Sequence, residues 1–172
     1  HTITHELLHL IGADVIAEQV FGIKNPAKEP YRDSMYAAYL TDITYKPINE
    51  RKNNTLLGRT GEWMFSRLPK YDTDYTSVWR NNDTGDLTLT IRGTKLSTPS
   101  DIGDDLSILF GKTDVESEDV ERVMGELETD FPYQKYDVSA HSLGCDFVFT
   151  ALTEHGNSWD DLYLFAPGSS PF

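Results

Sequence analysis

Apolar positions in the first third of the chain recur every three or four residues, a spacing that predicts helices. Residues 3–20 are predicted to form an amphipathic helix. Residues 24–32 contain Pro26 and Pro30, and this composition favours a loop or linker. A second helix is predicted over residues 33–46, with a proline directly after it.

The middle of the chain changes to a strand pattern. Residues 48–74 are polar and are predicted to be irregular, apart from the cluster Trp63-Met64-Phe65, which is typical of a core or an interface. Two strands are then predicted, over residues 76–80 and 86–92. The sequence between them, Asn81-Asn82-Asp83-Thr84-Gly85, indicates a hairpin turn.

One strongly periodic helix is predicted after the hairpin. Residues 97–112 read as a loop that contains a short helical piece, and residues 113–130 as a regular helix. Thr113 and Glu116 have the spacing of a capping box, in which each side chain satisfies a backbone N–H of the first turn.

The last third of the chain alternates between strands and helices. A strand over residues 136–140, a helix over residues 142–154 and a buried strand over residues 161–166 are predicted. Together with the second hairpin strand, this order indicates parallel strands joined by crossover helices. The predicted class is therefore α/β, with an added helix and linker at residues 1–30 and a main domain at residues 31–172.

A sharp strand-to-helix turn is predicted around Ser142. Ala140 precedes the serine by two residues and Gly144 follows it by two, which approximates the Gly-x-Ser-x-Gly pattern. Bulky side chains at either flank would collide with the neighbouring strand and helix. Such a turn exposes the serine hydroxyl and directs the backbone N–H of Leu143 at the same point, so the pattern is typical of a nucleophile elbow.

Composition limits the classes of partner. The 172 residues carry a net charge of −13, which argues against binding to nucleic acid or to an anionic membrane surface. No apolar run is long enough to form a transmembrane helix. Because the sequence starts at His1 rather than Met, we expect it to be part of a longer polypeptide.

Cys145, which follows the elbow motif, is the single cysteine. It excludes an internal disulfide and is compatible with a reducing compartment or a virion, so the localisation stays open. We expect Cys145 to be a small buried apolar residue.

A second motif lies in the first predicted helix. The segment His5-Glu6-Leu7-Leu8-His9 matches the His-Glu-x-x-His pattern of zinc peptidases, in which both imidazoles share one helix face and the glutamate activates a water. The usual third histidine would fall at Val15. Glu18 and Glu29 are alternative third ligands, and neither is singled out. The other interpretation of this segment is a packed helix with its histidines on the surface.

Three stretches in the second half resemble the class 3 (fungal-type) lipases of the α/β-hydrolase fold. They are residues 87–94, which end in Arg-Gly-Thr, residues 101–109, and residues 138–144, which contain His-Ser-Leu-Gly. Residues 162–168 provide a weaker fourth match. The resemblance covers roughly residues 33–172 and implies a partial α/β-hydrolase sheet.

The resemblance implies a serine esterase or lipase that acts on carboxylic esters, including lipids, without a cofactor. Ser142 corresponds to the nucleophile, and Thr94 and Leu143 correspond to the residues that stabilise the oxyanion. His141 corresponds to a position that supports the elbow rather than to the base. The loop after Thr94 occupies the place of the lid and is polar in this sequence.

The activating residues of a triad are not apparent in the sequence. In this family the acid and the histidine follow the last matched strand, so we expect them beyond Phe172. His155, Asp160 and Asp161 are expected to lie away from the serine. The alternative hypothesis is therefore an inactive hydrolase-like module within a larger assembly, such as a viral capsid or envelope complex.

Overall fold

The computed structural model describes residues 29–93, 106–141 and 144–165. Three α-helices, six β-strands and two short 3-10 helices are formed in these ranges. In chain order they are α1 (Glu29–Thr44), a 3-10 turn (Ile48–Glu50), β1 (Asn54–Leu57), β2 (Trp63–Arg67), a 3-10 turn (Pro69–Tyr71), β3 (Thr76–Asn81), β4 (Leu87–Ile91), α2 (Leu106–Asp130), β5 (Tyr136–His141), α3 (Gly144–Glu154) and β6 (Trp159–Phe165).

The six strands form one open mixed sheet in the order β1-β2-β3-β4-β5-β6. Strands β1 to β4 pair antiparallel, and β4, β5 and β6 pair parallel. In the parallel part Ile91 is opposite Ala140, so β4 and β5 end at the same edge of the sheet. The predicted α/β class, the hairpin and the parallel crossovers are confirmed. The antiparallel part is larger than predicted: it has four strands, whereas the sequence predicted two.

The main core lies between one face of the sheet and helices α2 and α3. Alternate residues of β4 and β5 face these helices, as the period of two in a strand requires. Cys145 is fully buried there, as predicted. The core includes Val78, Leu87, Leu89, Ile91, Val120, Val123, Met124, Leu127, Val138, Ala140, Val148 and Ala151.

Helix α1 covers part of the opposite face through buried hydroxyl groups. The Thr41 hydroxyl lies 2.6 Å from that of Ser139 on β5, and the Thr44 hydroxyl lies 2.7 Å from that of Thr90 on β4. Thr90 also donates to the carbonyl of Ser77 at 3.0 Å. The Thr44 hydroxyl also lies 3.2 Å from the carbonyl oxygen of Leu40, to which it can donate. Each hydroxyl of this hydroxyl chain therefore has a backbone carbonyl as well as the other hydroxyl within reach, so the burial of these polar groups is compensated.

Two predictions for the first half of the chain are wrong. Helix α1 begins at Glu29, inside the predicted loop 24–32, because Pro30 is in the first turn, where its missing N–H costs nothing. Residues 48–74 are not irregular, since they contain β1 and β2. These strands are short and half-exposed, and β1 does not follow simple alternation, so the sequence pattern is weak.

The predicted break before residue 113 is also wrong. Helix α2 is continuous from Leu106, so Thr113 lies inside it and cannot be its N-cap. Glu116 is buried and forms a hydrogen bond with Tyr75 instead of reaching back to the helix start. Packing of the helix therefore outweighs the unfavourable helix propensity of the glycine at 111.

Strand β6 is less buried than predicted. It starts at Trp159, and its residues are half-buried or exposed along the whole strand. Among the strands in the described ranges it pairs only with β5, so it has the exposure of an edge strand. Asp160 and Asp161 lie at its amino end, away from the elbow, as predicted.

Across the ranges described, none of the helices combines the length and the apolar character that crossing a lipid bilayer requires.

Replacing Thr90 by valine should reduce the free energy of unfolding by about 1–3 kcal/mol, because the Thr44 hydroxyl loses one of its two buried partners and the Ser77 carbonyl loses the Thr90 donor. Thr44→Val together with Thr90→Val should cost about 1 kcal/mol less than the sum of the single changes. Urea denaturation of the four proteins measures this coupling. Thr153→Val, at an exposed helix position, is the control and should change stability by less than about 0.5 kcal/mol. Strictly additive effects of the two core changes would contradict the hydroxyl chain.

Candidate functional site

The residues predicted to act in catalysis lie just outside the described ranges. Ser142 and Leu143 fall between β5 and α3, and Thr94 follows the last described residue after β4. The possible zinc ligands His5, Glu6 and His9 also lie outside the described residues. The structure does, however, describe the residues that flank the elbow and the first oxyanion position, and these flanks form the candidate site.

Gly144 makes an unusually close approach to the end of β4. A Cβ atom at this position would lie 2.8 Å from the carbonyl oxygen of Arg92 and 3.0 Å from that of Ile91. Both neighbours are backbone atoms, which cannot swing away as a side chain can. Helix α3 therefore starts directly against the end of the adjacent parallel strand, as the glycine after a nucleophile elbow requires.

Tyr45 connects the ends of β4 and β5. Its hydroxyl accepts a hydrogen bond from the N–H of Gly93 at 2.8 Å and lies 2.7 Å from Nδ1 of His141. Burial raises the pKa of Tyr45 to about 12, so the hydroxyl keeps its proton at neutral pH. Because the hydroxyl accepts from Gly93, its own proton is available to Nδ1 of His141. Tyr45 thus links the backbone of Gly93 to His141, the last residue of β5.

Arg92 fixes the same strand end from the other side. Its guanidinium donates to the carbonyl oxygen of Gly93 at 2.7 Å and lies 4.4 Å from the centre of the Tyr75 ring. Burial and the hydrogen bond with Glu116 raise the pKa of Tyr75 to about 12. Gly93 is therefore held at its N–H by Tyr45 and at its carbonyl by Arg92, directly before Thr94.

The two histidines in the described ranges differ in position and in partners. His141 lies beside the elbow, but its Nδ1 contacts Tyr45. His155 follows α3 at the other end of the sheet, where its Nδ1 lies 2.6 Å from Oε1 of Glu128. Ser158 donates to the same Glu128 oxygen. His141 therefore lies at the carboxyl end of β5, whereas His155 lies near the amino end of β6 and is engaged by Glu128.

A group of carboxylates at the amino ends of β5 and β6 was missed by sequence analysis. Asp137, Asp160 and Asp161 can place one oxygen each within 4.8 Å of one another. Burial, together with the charges of Asp161 and Asp160, raises the pKa of Asp137 to about 6. Such oxygen ligands suit hard cations such as Mg²⁺ or Ca²⁺. Asp137 was overlooked because an aspartate in a strand usually faces water.

No family model, no curated protein and no solved structure matches this chain. The lipase resemblance therefore stays a prediction based on the quoted motifs.

Gly144→Ala should reduce the free energy of unfolding by at least about 2 kcal/mol, because the new methyl group meets two backbone carbonyls. Gly125→Ala is the matched control. Gly125 is inside α2 and has open space around its Cα, so alanine there should stabilise the protein by about 0.5–1 kcal/mol. Thermal and urea unfolding measure both changes. Equal effects of the two substitutions would contradict the close approach.

Asp137→Asn should stabilise the protein at neutral and alkaline pH. The pKa of Asp137 is raised in the folded state, so folding binds a proton between about pH 4 and pH 6, and stability falls as the pH rises through this window. Because the side chain is only partly buried, the gain above about pH 6 should be on the order of 1 kcal/mol and should vanish near about pH 4. Urea unfolding at both pH values measures it. The exposed control Glu118→Gln should show no such gain. A gain in stability that is the same at both pH values, or that Glu118→Gln also shows, would contradict this account.

Proposed function

We propose that this chain is a lipase-like serine ester hydrolase with Ser142 as its nucleophile. The observation that carries the proposal is the close approach of the Gly144 backbone to the carbonyl oxygens of Arg92 and Ile91, which leaves no room for a Cβ atom. Strand β5 ends at His141 and α3 begins at Gly144, so only Ser142 and Leu143 connect the strand to the helix. A connection this short favours a tight turn with an exposed serine hydroxyl.

The reaction begins with attack of the Ser142 oxygen on the carbonyl carbon of an ester. A carbon–oxygen bond forms, the carbonyl electrons move to the oxygen, and a general base takes the serine proton. Collapse of this intermediate expels the alcohol, which receives the proton, and leaves an acyl group on Ser142. Water then repeats the sequence, releases the carboxylic acid and restores the serine.

The oxyanion is stabilised by hydrogen-bond donors at two strand ends. In the proposal these are the N–H and hydroxyl of Thr94 after β4 and the N–H of Leu143 after β5. Each donor can contribute about 3 kcal/mol to the transition state when its position is fixed in advance. The support comes from Gly93, whose N–H and carbonyl are both hydrogen-bonded, because this restricts the backbone that leads into Thr94.

The proposal requires a histidine base and a carboxylate that orients it. His155 is paired with Glu128, and His141 uses Nδ1 to contact Tyr45, so neither is assigned this role. By analogy with the Ser–Asp–His order of α/β hydrolases, we place both groups on loops that follow β6. Without them, the serine would be an ordinary alcohol, and only weak activity would remain.

A fluorophosphonate probe tests the nucleophile in the full-length protein. The wild-type protein should be labelled at one site, and Ser142→Ala should abolish the labelling, since such probes react only with an activated serine. Ser66→Ala, on β2, is the matched control and should label like the wild type. Peptide mapping by mass spectrometry locates the adduct. An unlabelled wild-type protein, or labelling that survives Ser142→Ala, would contradict the proposal and favour an inactive hydrolase-like module.

A further inference from the structure

A large groove lies at the end of the sheet opposite to the elbow. It is bounded by the first half of α1, by the β1–β2 hairpin and by the β3–β4 turn, and its volume is about 1510 Å³. Thr88 and Asp137, near the amino ends of β4 and β5, form part of its floor. Thr88 is four residues before Arg92, so this amino-end groove is roughly 13 Å along the strand from Arg92.

Two apolar side chains are displayed at the mouth of the amino-end groove. Leu57 and Trp63 are directly opposite each other on β1 and β2, and they are 50% and 49% exposed. Both belong to the groove lining. Two large apolar side chains that face each other across neighbouring strands are usually covered by other parts of the protein. It is therefore unusual that this aromatic–aliphatic pair remains exposed to water.

The exposure of this pair depends on a strained residue. Leu56 has a φ of 56°, the left-handed region, which costs a non-glycine residue roughly 1–2 kcal/mol. This conformation buries Thr55 and Leu56 in succession and turns Leu57 outward beside Trp63. Strain of this type persists where the surrounding structure enforces it, and it is concentrated at binding sites.

The negative charge of the groove favours a positively charged ligand. Five carboxylates belong to the lining, whereas Arg59 is the one basic residue among the lining residues described. The carboxylates are those of Asp33, Glu62, Asp83, Asp86 and Asp137. Anionic lipid and nucleic acid are therefore repelled, and a cationic ligand is attracted.

We propose that the amino-end groove docks an extended basic peptide segment of a partner protein, with an apolar side chain packed against the adjacent Leu57 and Trp63. The volume exceeds the roughly 300–1,000 Å³ typical of small-molecule pockets, which favours a chain segment over a small organic cation. The apolar pair provides the anchor, and the surrounding carboxylates complement lysine or arginine side chains. This docking site is separate from the candidate elbow and does not depend on esterase activity.

Fluorescence anisotropy with two synthetic peptides tests the proposal in the full-length protein. One labelled peptide alternates lysine and leucine, and the other alternates glutamate and leucine. The lysine peptide should bind at least about tenfold more tightly, and its advantage should shrink when salt is raised to about 0.5 M. Trp63→Ala should weaken its binding by about tenfold, as expected for an aromatic anchor. The double variant Asp83→Asn with Asp86→Asn should weaken it by roughly threefold or more.

Matched controls separate the groove from the overall negative charge of the protein. Phe149→Ala removes an aromatic side chain that is 51% exposed on α3, on the other side of the sheet. Glu118→Gln removes an exposed carboxylate on α2. Both controls should leave the affinity for the lysine peptide within about twofold. The proposal is overturned if the two peptides bind equally, if the controls weaken binding as much as the groove variants, or if spermine displaces the peptide while Trp63→Ala has no effect.

Discussion

The contact between the start of α3 and the end of β4 is the constraint on which the architecture of this protein depends. At Gly144 there is no room for a side chain, because the carbonyl oxygens of Arg92 and Ile91 occupy the space. The same close approach sets the start of α3 directly against the end of β4. Ile91 and Ala140 are paired in the parallel register, so β4 and β5 end at the same edge of the sheet. Local geometry at one glycine thereby determines which residues can meet at this edge.

Polar groups as well as apolar ones position α1 on the sheet, because Leu40 and Ile43 pack against Trp79 while buried hydroxyls reach β4 and β5. Thr41 and Thr44 bond to hydroxyls on β5 and β4, and Tyr45 continues the same line to Gly93 and His141. Buried hydrogen bonds have a narrower geometry than apolar contacts, so they fix the register of the helix as well as its attachment. The helix in turn holds the backbone that precedes Thr94. The α1–sheet interface and the backbone of Gly93 are thus parts of one hydrogen-bonded unit.

The two ends of the parallel strands have contrasting chemistry. At the carboxyl ends, Tyr45 and Arg92 hold the backbone of Gly93, and Tyr45 also contacts His141. At the amino ends, carboxylates and displayed apolar side chains line an open groove, and the raised pKa of Asp137 reflects burial next to like charges. Perturbed acids and backbone strain both reduce stability, and proteins retain them mainly where binding benefits. One sheet can therefore carry two independent sites.

The sequence predicted the elements whose patterns are strong and local. The hairpin around Asn81-Asn82-Asp83-Thr84-Gly85 and the buried stripe of α2 were identified correctly, since turn chemistry and helical periodicity act over a few residues. Strands β1 and β2 were missed, because the left-handed Leu56 disrupts alternation and tertiary pairing decides the outcome.

The candidate site was predictable only in part. A bulky side chain at Gly144 was expected to collide with the neighbouring strand, and the close approach of Gly144 to the end of β4 agrees with that expectation. The roles of Tyr45 and Asp137 could not be predicted from the sequence, because their partners are distant in the chain. Tyr45 contacts Gly93 and His141, and Asp137 lies beside Asp160 and Asp161.

The most direct test of the central claim is a crystal structure of the full-length protein after reaction with a fluorophosphonate. The account predicts a phosphorus atom bonded to the Ser142 oxygen. It also predicts a phosphonyl oxygen about 2.7–3.1 Å from the backbone nitrogens of Thr94 and Leu143. Gly144 should keep its contact with the Arg92 carbonyl oxygen in that structure. An unmodified serine, or an adduct whose phosphonyl oxygen faces solvent with no backbone donor in reach, would contradict it.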